Sequence, residues 1–225
     1  MKHLYLISFA SFILLVACKK DKISGSGDTM VETLPLKNFT AIQASGPLLV
    51  FVEKNPQFSV EVSAFENLLP HLEAKVNNGV LEVHWKNNME IQGNNLAVHV
   101  KLPDLKSVKV SSLSGVAVYG KFTATNMEVS ISGSGYIHLD DQQADNFFVT
   151  VSGVNLLSRM GMNSFVEAFG MKSKKAEVNL TGNGNVELTC FNDLTVNIDG
   201  KGSVFYKGNP ALTSEISGGG MIYRR

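Results

Sequence analysis

From residue 30 onward, apolar and polar positions alternate in short runs. Val50-Phe51-Val52-Glu53, Phe58-Ser59-Val60-Glu61-Val62, Val80-Leu81-Glu82-Val83-His84-Trp85 and Leu96-Ala97-Val98-His99-Val100-Lys101-Leu102 alternate or run apolar over strand lengths. A two-residue period places one set of side chains on one face of a sheet, so these segments predict strands. Asn77-Asn78-Gly79 lies between two of them and predicts a hairpin, because Asn-Gly tolerates the positive φ of a type I′ turn. The one helical signal covers residues 66–72, and Pro70 holds it to about one turn. Pro103 closes the last strand of this half.

The second half repeats itself. Ser114-Gly115, Ser132-Gly133, Ser152-Gly153, Thr181-Gly182, Asp199-Gly200 and Ser217-Gly218 each follow an alternating segment, with glycine-to-glycine steps of 18, 20, 29, 18 and 18 residues. Most pairs are followed by a second short strand, such as Tyr136-Ile137-His138-Leu139. A unit this small cannot bury its own apolar face, but stacked units share a continuous core. The expectation is therefore an all-β stacked solenoid with Gly-rich corners, since tight corners need positive φ or close backbone approach. A β-sandwich would also space short strands by eight to twelve residues; the regular return of glycine favours the solenoid. The 29-residue step reads as a longer unit, or as a half-coil at Phe165-Val166-Glu167-Ala168-Phe169.

The N-terminus differs in kind. Met1-Lys2-His3 is a short basic start, and the following 14 residues, 4–17, carry no charge. That run is too short for a comfortable membrane span and suits a signal-peptide core. It ends Leu15-Val16-Ala17-Cys18, which resembles the bacterial lipobox. The resemblance implies cleavage before Cys18, a diacylglyceryl thioether on its sulfur and acylation of the new amine, a membrane anchor that is practically permanent. Residues 19–29 are polar and Gly/Ser-rich, as in a flexible tether. Lys19-Lys20-Asp21 weakly resembles the surface-export signals of Bacteroidetes lipoproteins, which leaves periplasm and cell exterior both open. The chain thus divides into a signal peptide (1–17), a tether (18–29), a β-rich half (30–105) and a repetitive half (106–225).

Composition narrows the rest. The formal net charge is +0, so nothing pulls the chain toward nucleic acid or anionic lipid in general. Lys172-Ser173-Lys174-Lys175 reads as a solvated turn. With Cys18 committed, Cys190 has no partner in the chain, which excludes a disulfide framework and a thiolate zinc site. It is expected as a small buried residue in a strand.

Several segments occur in a recognisable order: Phe39-Thr40-Ala41-Ile42, Ser45-Gly46-Pro47, Glu66-Asn67-Leu68-Leu69-Pro70, Gly79-Val80-Leu81-Glu82-Val83 and Val98-His99-Val100-Lys101-Leu102-Pro103. The Ser-Gly-x-Gly series follows, then Gly202-Ser203-Val204-Phe205-Tyr206-Lys207-Gly208-Asn209-Pro210 and Ser217-Gly218-Gly219-Gly220. Across residues 36–224 this resembles the Bacteroidetes family of putative auto-transporter adhesins with a head GIN domain. The resemblance implies a right-handed β-helix akin in shape to pectin lyases, a role in adhesion to a glycan or host surface, and a homo-oligomer, with a trimer as the form suggested. It implies no catalytic residues and no cofactor. The sequence departs from the family motif at Ser111-Ser112-Leu113-Ser114-Gly115-Val116 and at Ser152-Gly153-Val154-Asn155-Leu156-Leu157, where distorted corners are expected.

Because pectin-lyase-like β-helices include enzymes, catalysis is tested against the residues. Asp140-Asp141 is the best acidic candidate, but adjacent strand residues point to opposite faces and would converge only at a turn. Asp193 and Asp199 fall in later repeats, where Asp suits a turn for its own reasons. His71, His84, His99 and His138 show no metal spacing, although His84 and His99 could share a face. Gly182-Asn183-Gly184 and Gly200-Lys201-Gly202 open no helix, so they offer no dipole for phosphate. Tyr119, Tyr136, Tyr206 and Tyr223 would form a carbohydrate ladder only if they stack along one face. The reading is a non-enzymatic, envelope-anchored β-solenoid that presents a binding surface. A carbohydrate-active enzyme is the alternative.

Overall fold

The structure, a computed structural model, describes residues 21–86, 89–93, 95–153 and 164–225. Cys18 and the segment expected as a signal peptide lie outside these residues, as do Val154-Asn155-Leu156-Leu157. The described chain is all-β, with one 3-10 turn and no α-helix among the described residues. Its first nine strands are β1 (Asp21–Ser24), β2 (Thr29–Leu34), β3 (Ala41–Ser45), β4 (Leu49–Lys54), β5 (Ser59–Phe65), β6 (Leu72–Asn77), β7 (Val80–Trp85), β8 (Met89–Gln92) and β9 (Ala97–Leu102). Then come β10 (Ser107–Ser111), β11 (Gly115–Tyr119), β12 (Thr123–Ser132), β13 (Tyr136–Leu139), β14 (Gln142–Gly153), β15 (Phe165–Gly182), β16 (Asn185–Gly200), β17 (Ser203–Lys207), β18 (Ala211–Gly218) and β19 (Met221–Arg224).

Seventeen of these strands join one large mixed sheet. Within it run two parallel ladders that share the long strands β15 and β16. One follows β7–β3–β10–β12–β14–β15–β16–β18. The other follows β9–β4–β11–β13–β15–β16–β17–β19. The antiparallel strands gather at one end, where β6 covers β7, β5 covers β9 and β2 covers β5. At the other end, β18 is exposed along its whole length and leaves Leu212 and Ile216 uncovered.

Inward positions stack rung upon rung. Val110, Ile131, Val151, Leu180 and Ile198 are aligned along the first ladder, and all are buried. Val116, Ile137, Val166, Val186 and Val204 do the same along the second. β-Branched side chains suit this arrangement because they are stiff at χ1 and pack well on a pleated surface. Cys190 is buried and unpaired, and its thiol donates to Asp193 O at 3.2 Å.

The recurrent glycines now have a cause. Gly153, Gly182, Gly200 and Gly218 stand in register. A Cβ on Gly218 would lie 2.6 Å from Gly200 O, and one on Gly200 would lie 2.8 Å from Gly182 N. Gly182 and Gly200 also have φ of +98° and +138°, a region that L side chains rarely adopt. Each corner glycine thus rests on the backbone of the one before it.

Some expectations need adjustment. Ser114-Gly115 does not stack on Ser132-Gly133; Ser111 pairs with Ser132, and Gly115 pairs with Tyr136. Ser112 and Leu113 turn this corner with φ of 54° and 72°, so non-glycine residues take the left-handed conformation there. In the 29-residue step, Phe165 and Val166 pair with Tyr136 and Ile137 as an ordinary rung, and most of the extra length falls between Gly153 and Phe165. Lys172–Lys175 is not a turn. It lies within β15, where Lys174 pairs with Asp145 at 2.8 Å and Lys175 with Asp193 at 3.0 Å. The hairpin at Asn78-Gly79 has φ of 48° and 77°, and the short helical turn is the 3-10 segment Leu69–His71. Asp21–Ser24, inside the segment expected as a tether, pairs with β8 as a separate two-stranded sheet.

Candidate ligand-binding face

Alternate residues on the second ladder point away from the core, and the parallel register brings them into columns. One column reads Phe51, Ala117, His138, Glu167, Glu187, Phe205 and Tyr223. The adjacent column includes Tyr136 and Phe165. Tyr136 and His138 sit two apart on β13, so both project from the same face. Their rings are stacked with centroids 6.4 Å apart, and Tyr119 lies 5.9 Å from His138. Farther along, Phe205 and Tyr223 stack at 5.2 Å, with the Arg225 guanidinium 4.7 Å over Phe205. At the other end, Phe51 and His99 stack at 5.2 Å and line a cleft of about 490 Å³ with Tyr119 and Lys54.

Two carboxylates occupy the middle of this strip on neighbouring rungs. Glu167 accepts the Tyr136 hydroxyl in a short hydrogen bond, and its Oε2 lies 3.1 Å from His138 Nδ1. The His138 approach is close but poorly directed, so Nδ1 is buried without a well-formed hydrogen bond. The Tyr136 hydroxyl, opposed by burial and helped by His138, holds the Glu167 carboxyl below the usual carboxylate range. Burial, followed by the hydrogen bond to Glu167, pushes the Tyr136 phenol well above its ordinary value. Glu187 moves the other way from Glu167. Burial and then the Glu167 charge raise it, with Arg225 and Lys207 opposing.

The remaining candidates do not converge. Asp140 and Asp141 are exposed at a corner where Asp141 has φ of 55°; buried Gln142 organises that corner by donating to Gly120 O at 2.6 Å. Asp199 accepts from Ser217 at 2.8 Å. His84 and His99 belong to different ladders and share no face; His84 lies 3.6 Å from Glu73. Of the four candidate tyrosines, Tyr119, Tyr136 and Tyr223 lie on the strip, whereas Tyr206 pairs with buried Leu188 and packs on the core. Among the described residues, no group of three or more His, Cys, Asp or Glu could hold a metal ion. Sequence reasoning passed over Glu167, Glu187 and Phe205 as site residues. Their only sequence signal is that each falls two positions after the first residue of its rung.

Known proteins place this architecture. A protein from Parabacteroides distasonis described as a putative lipid binding protein superposes with a TM-score of 0.61 at 20% identity, over 91% of this chain and 100% of its own. A putative adhesin from Bacteroides fragilis superposes with a TM-score of 0.67 at 17% identity, over 90% and 100%. One from Parabacteroides merdae gives a TM-score of 0.54 at 20% identity, over 91% and 99%. At these identities the likeness is one of fold. No curated protein matches the chain. The profile described as putative auto-transporter adhesin, head GIN domain, matches residues 38–210, most of the sequence, and the chain belongs to that family.

Proposed function

We propose that this protein is a non-enzymatic binding module of the cell envelope that presents the strip from Phe51 to Tyr223 to a glycan. The observation that carries the reading is the strip itself. Aromatic rings offer apolar faces to sugar C–H groups, and carboxylate, imidazole and phenol groups between them accept and donate to hydroxyls. Family membership supports adhesion and a place at the envelope or cell surface. The finer reading is a right-handed β-helix tethered through lipid on Cys18 to the outer membrane. Parallel ladders pairing alternate strands support the coil, and parallel crossovers are almost always right-handed. The lipobox-like Leu15-Val16-Ala17-Cys18 supports the tether. No helix among the described residues is long and apolar enough to cross a membrane.

The test is glycan-array binding by residues 21–225, repeated with Tyr136→Ala and Tyr223→Ala. Each substitution should weaken retention roughly tenfold, the scale of one lost aromatic contact. Unchanged retention in both variants, or no glycan retained by the unmodified domain, refutes the reading. One observation favours an enzyme instead: Glu167 and Glu187 are neighbouring carboxylates shifted in opposite directions, as an acid and its partner carboxylate would be. Shortening of the retained glycan, abolished by Glu167→Gln, would decide for that reading.

A further inference from the structure

The inward columns run off the end of the molecule at β18 and β19. Leu212 and Ile216 stand in register with Leu194 and Ile198, and Ile222 stands in register with Val204. Leu194, Ile198 and Val204 are fully buried, whereas Leu212 is 42% exposed and Ile216 43% exposed. Among the described residues no further rung lies over them. β18 pairs with β16, and β19 pairs with β17, so half of their backbone N–H and C=O groups point out along a free edge.

The strands at the opposite end are guarded by charge. β2 carries Glu32, and β6 carries Glu73 and Lys75, which lie 3.6 Å from His84 and 3.5 Å from Glu82. Charged side chains on an edge discourage the addition of another strand. β18 reads Ala211-Leu212-Thr213-Ser214-Glu215-Ile216-Ser217-Gly218, with a single charge. That charge belongs to the outward column beside Asn197, not to the inward one.

A strand that fits this edge must set apolar side chains against Leu212 and Ile216 and keep carboxylates away from Glu215. A second copy of β18 meets both conditions when it runs antiparallel about Ser214. Leu212 of each chain then lies opposite Ile216 of the other, and Thr213 lies opposite Glu215. Ser214 meets its own copy, a pairing in which the hydroxyls can hydrogen-bond. A head-to-tail stack lacks this fit, because it would set β18 against the charged strands of the other end. At the roughly 30–40 Å² per residue of ordinary interfaces, the eight residues of β18 and four of β19 would bury about 700–1,000 Å² in total. That is the small end of specific association and suits a reversible pair.

We propose that the open end formed by β18 and β19 is the contact surface for a second copy of this chain, joined by antiparallel β18–β18 pairing. The contact is isologous, and one edge accepts one strand, so the assembly closes at two chains. The family resemblance suggested three. Each copy's strip ends at Tyr223 on β19, so the two strips approach the junction from opposite sides.

Light scattering on residues 21–225, which contain every described strand, gives the first test. The mass should rise from one chain at about 1 µM to two chains at about 100 µM, a span that brackets a micromolar interface. Leu212→Glu and Ile216→Lys should each raise the dissociation constant by about tenfold or more, because each sets a lone charge against an apolar side chain. Combining them should restore pairing to within about threefold of the parent, because the register sets the two new charges against each other. Both positions are exposed in the single chain, so circular dichroism should report one fold for all the variants. In membranes holding the full chain, mild oxidation of Ser214→Cys should give a covalent dimer, since the new thiol faces its own copy. Thr150→Cys, on β14 between Ser130 and Asn179, should give none. A single chain at the highest concentration, a trimer, or single variants that associate like the parent would each overturn the proposal. So would a combined variant that associates no better than the single ones.

Discussion

Replacing Gly200 by Ala tests whether the glycine column is required by contact or only convenient for turning. The new methyl group would lie 2.8 Å from Gly182 N and closer still to Gly182 O, on a backbone with φ of +138°. Holding Ala in that sparsely populated region costs about 1–3 kcal/mol. The displaced carbonyl of Gly182 accepts from Lys201 N at 2.9 Å and from Gly202 N at 3.0 Å. Weakening both bonds costs about 1 kcal/mol each. Against this, Ala reduces the freedom of the unfolded chain by about 0.4–1 kcal/mol. The net loss is about 3 kcal/mol, a large share of the 5–15 kcal/mol typical of a folded domain. With a guanidinium slope of about 4–5 kcal/mol/M, the unfolding midpoint should fall by about 0.7 M. Far-UV circular dichroism is the suitable readout, because Trp85 sits near the opposite end. Gly219→Ala is the control: its Cβ would meet only Lys201 Cγ at 3.7 Å, so its stability should stay within about 0.5 kcal/mol of the parent. Equal midpoints for the two variants would refute the stacking argument.

Three further outcomes follow from the structure. Leu180→Ala removes a buried side chain from the middle of an inward stack and should cost about 2–5 kcal/mol, read as a lower denaturation midpoint. Glu167→Gln removes the charge that helps raise Glu187, so the Glu187 titration followed by carboxyl ¹³C shifts should move to lower pH; no movement would remove Glu167 as a cause. In the parent protein the two carboxyls act in opposite senses. The stabilisation from Glu167, whose folded value is depressed, is present above its unfolded value and lost as pH falls through the folded one; that from raised Glu187 is present at low pH and lost as pH rises through its folded value. Burial raises the Cys190 thiol, so a thiol reagent should label it only at the rate of unfolding. Rapid labelling in the native state would contradict its position in the core.

The strands and corners were legible because their causes are local. Period-two alternation marks the rungs, and the glycine column leaves one mark per rung. The first corner misled because Ser112 and Leu113 do there what glycine does elsewhere, so the nearby Ser114-Gly115 pair appeared to be the repeat. Lys172–Lys175 looked like a turn because charge density cannot distinguish a solvated loop from a long strand whose outward residues pair with acids of its neighbours. The strip was hidden for another reason. His138, Glu167, Glu187, Phe205 and Tyr223 become neighbours only through pairing register, which local periodicity does not specify. Tyr136 and Tyr223 were visible as aromatics, but the carboxylates between them had no distinguishing local pattern.

The exact 18-residue offset between β16 and the pair β17–β18, and again between β17 and β19, has a consequence for how such a molecule can vary. Duplicating or deleting one such segment would lengthen or shorten each parallel ladder by one strand spacing, about 4.8 Å, while the antiparallel end stayed as it is. Along the Glu187 column, the same event would add or remove one outward-facing residue. Ladder length and the number of outward-facing positions would therefore change together, in whole steps.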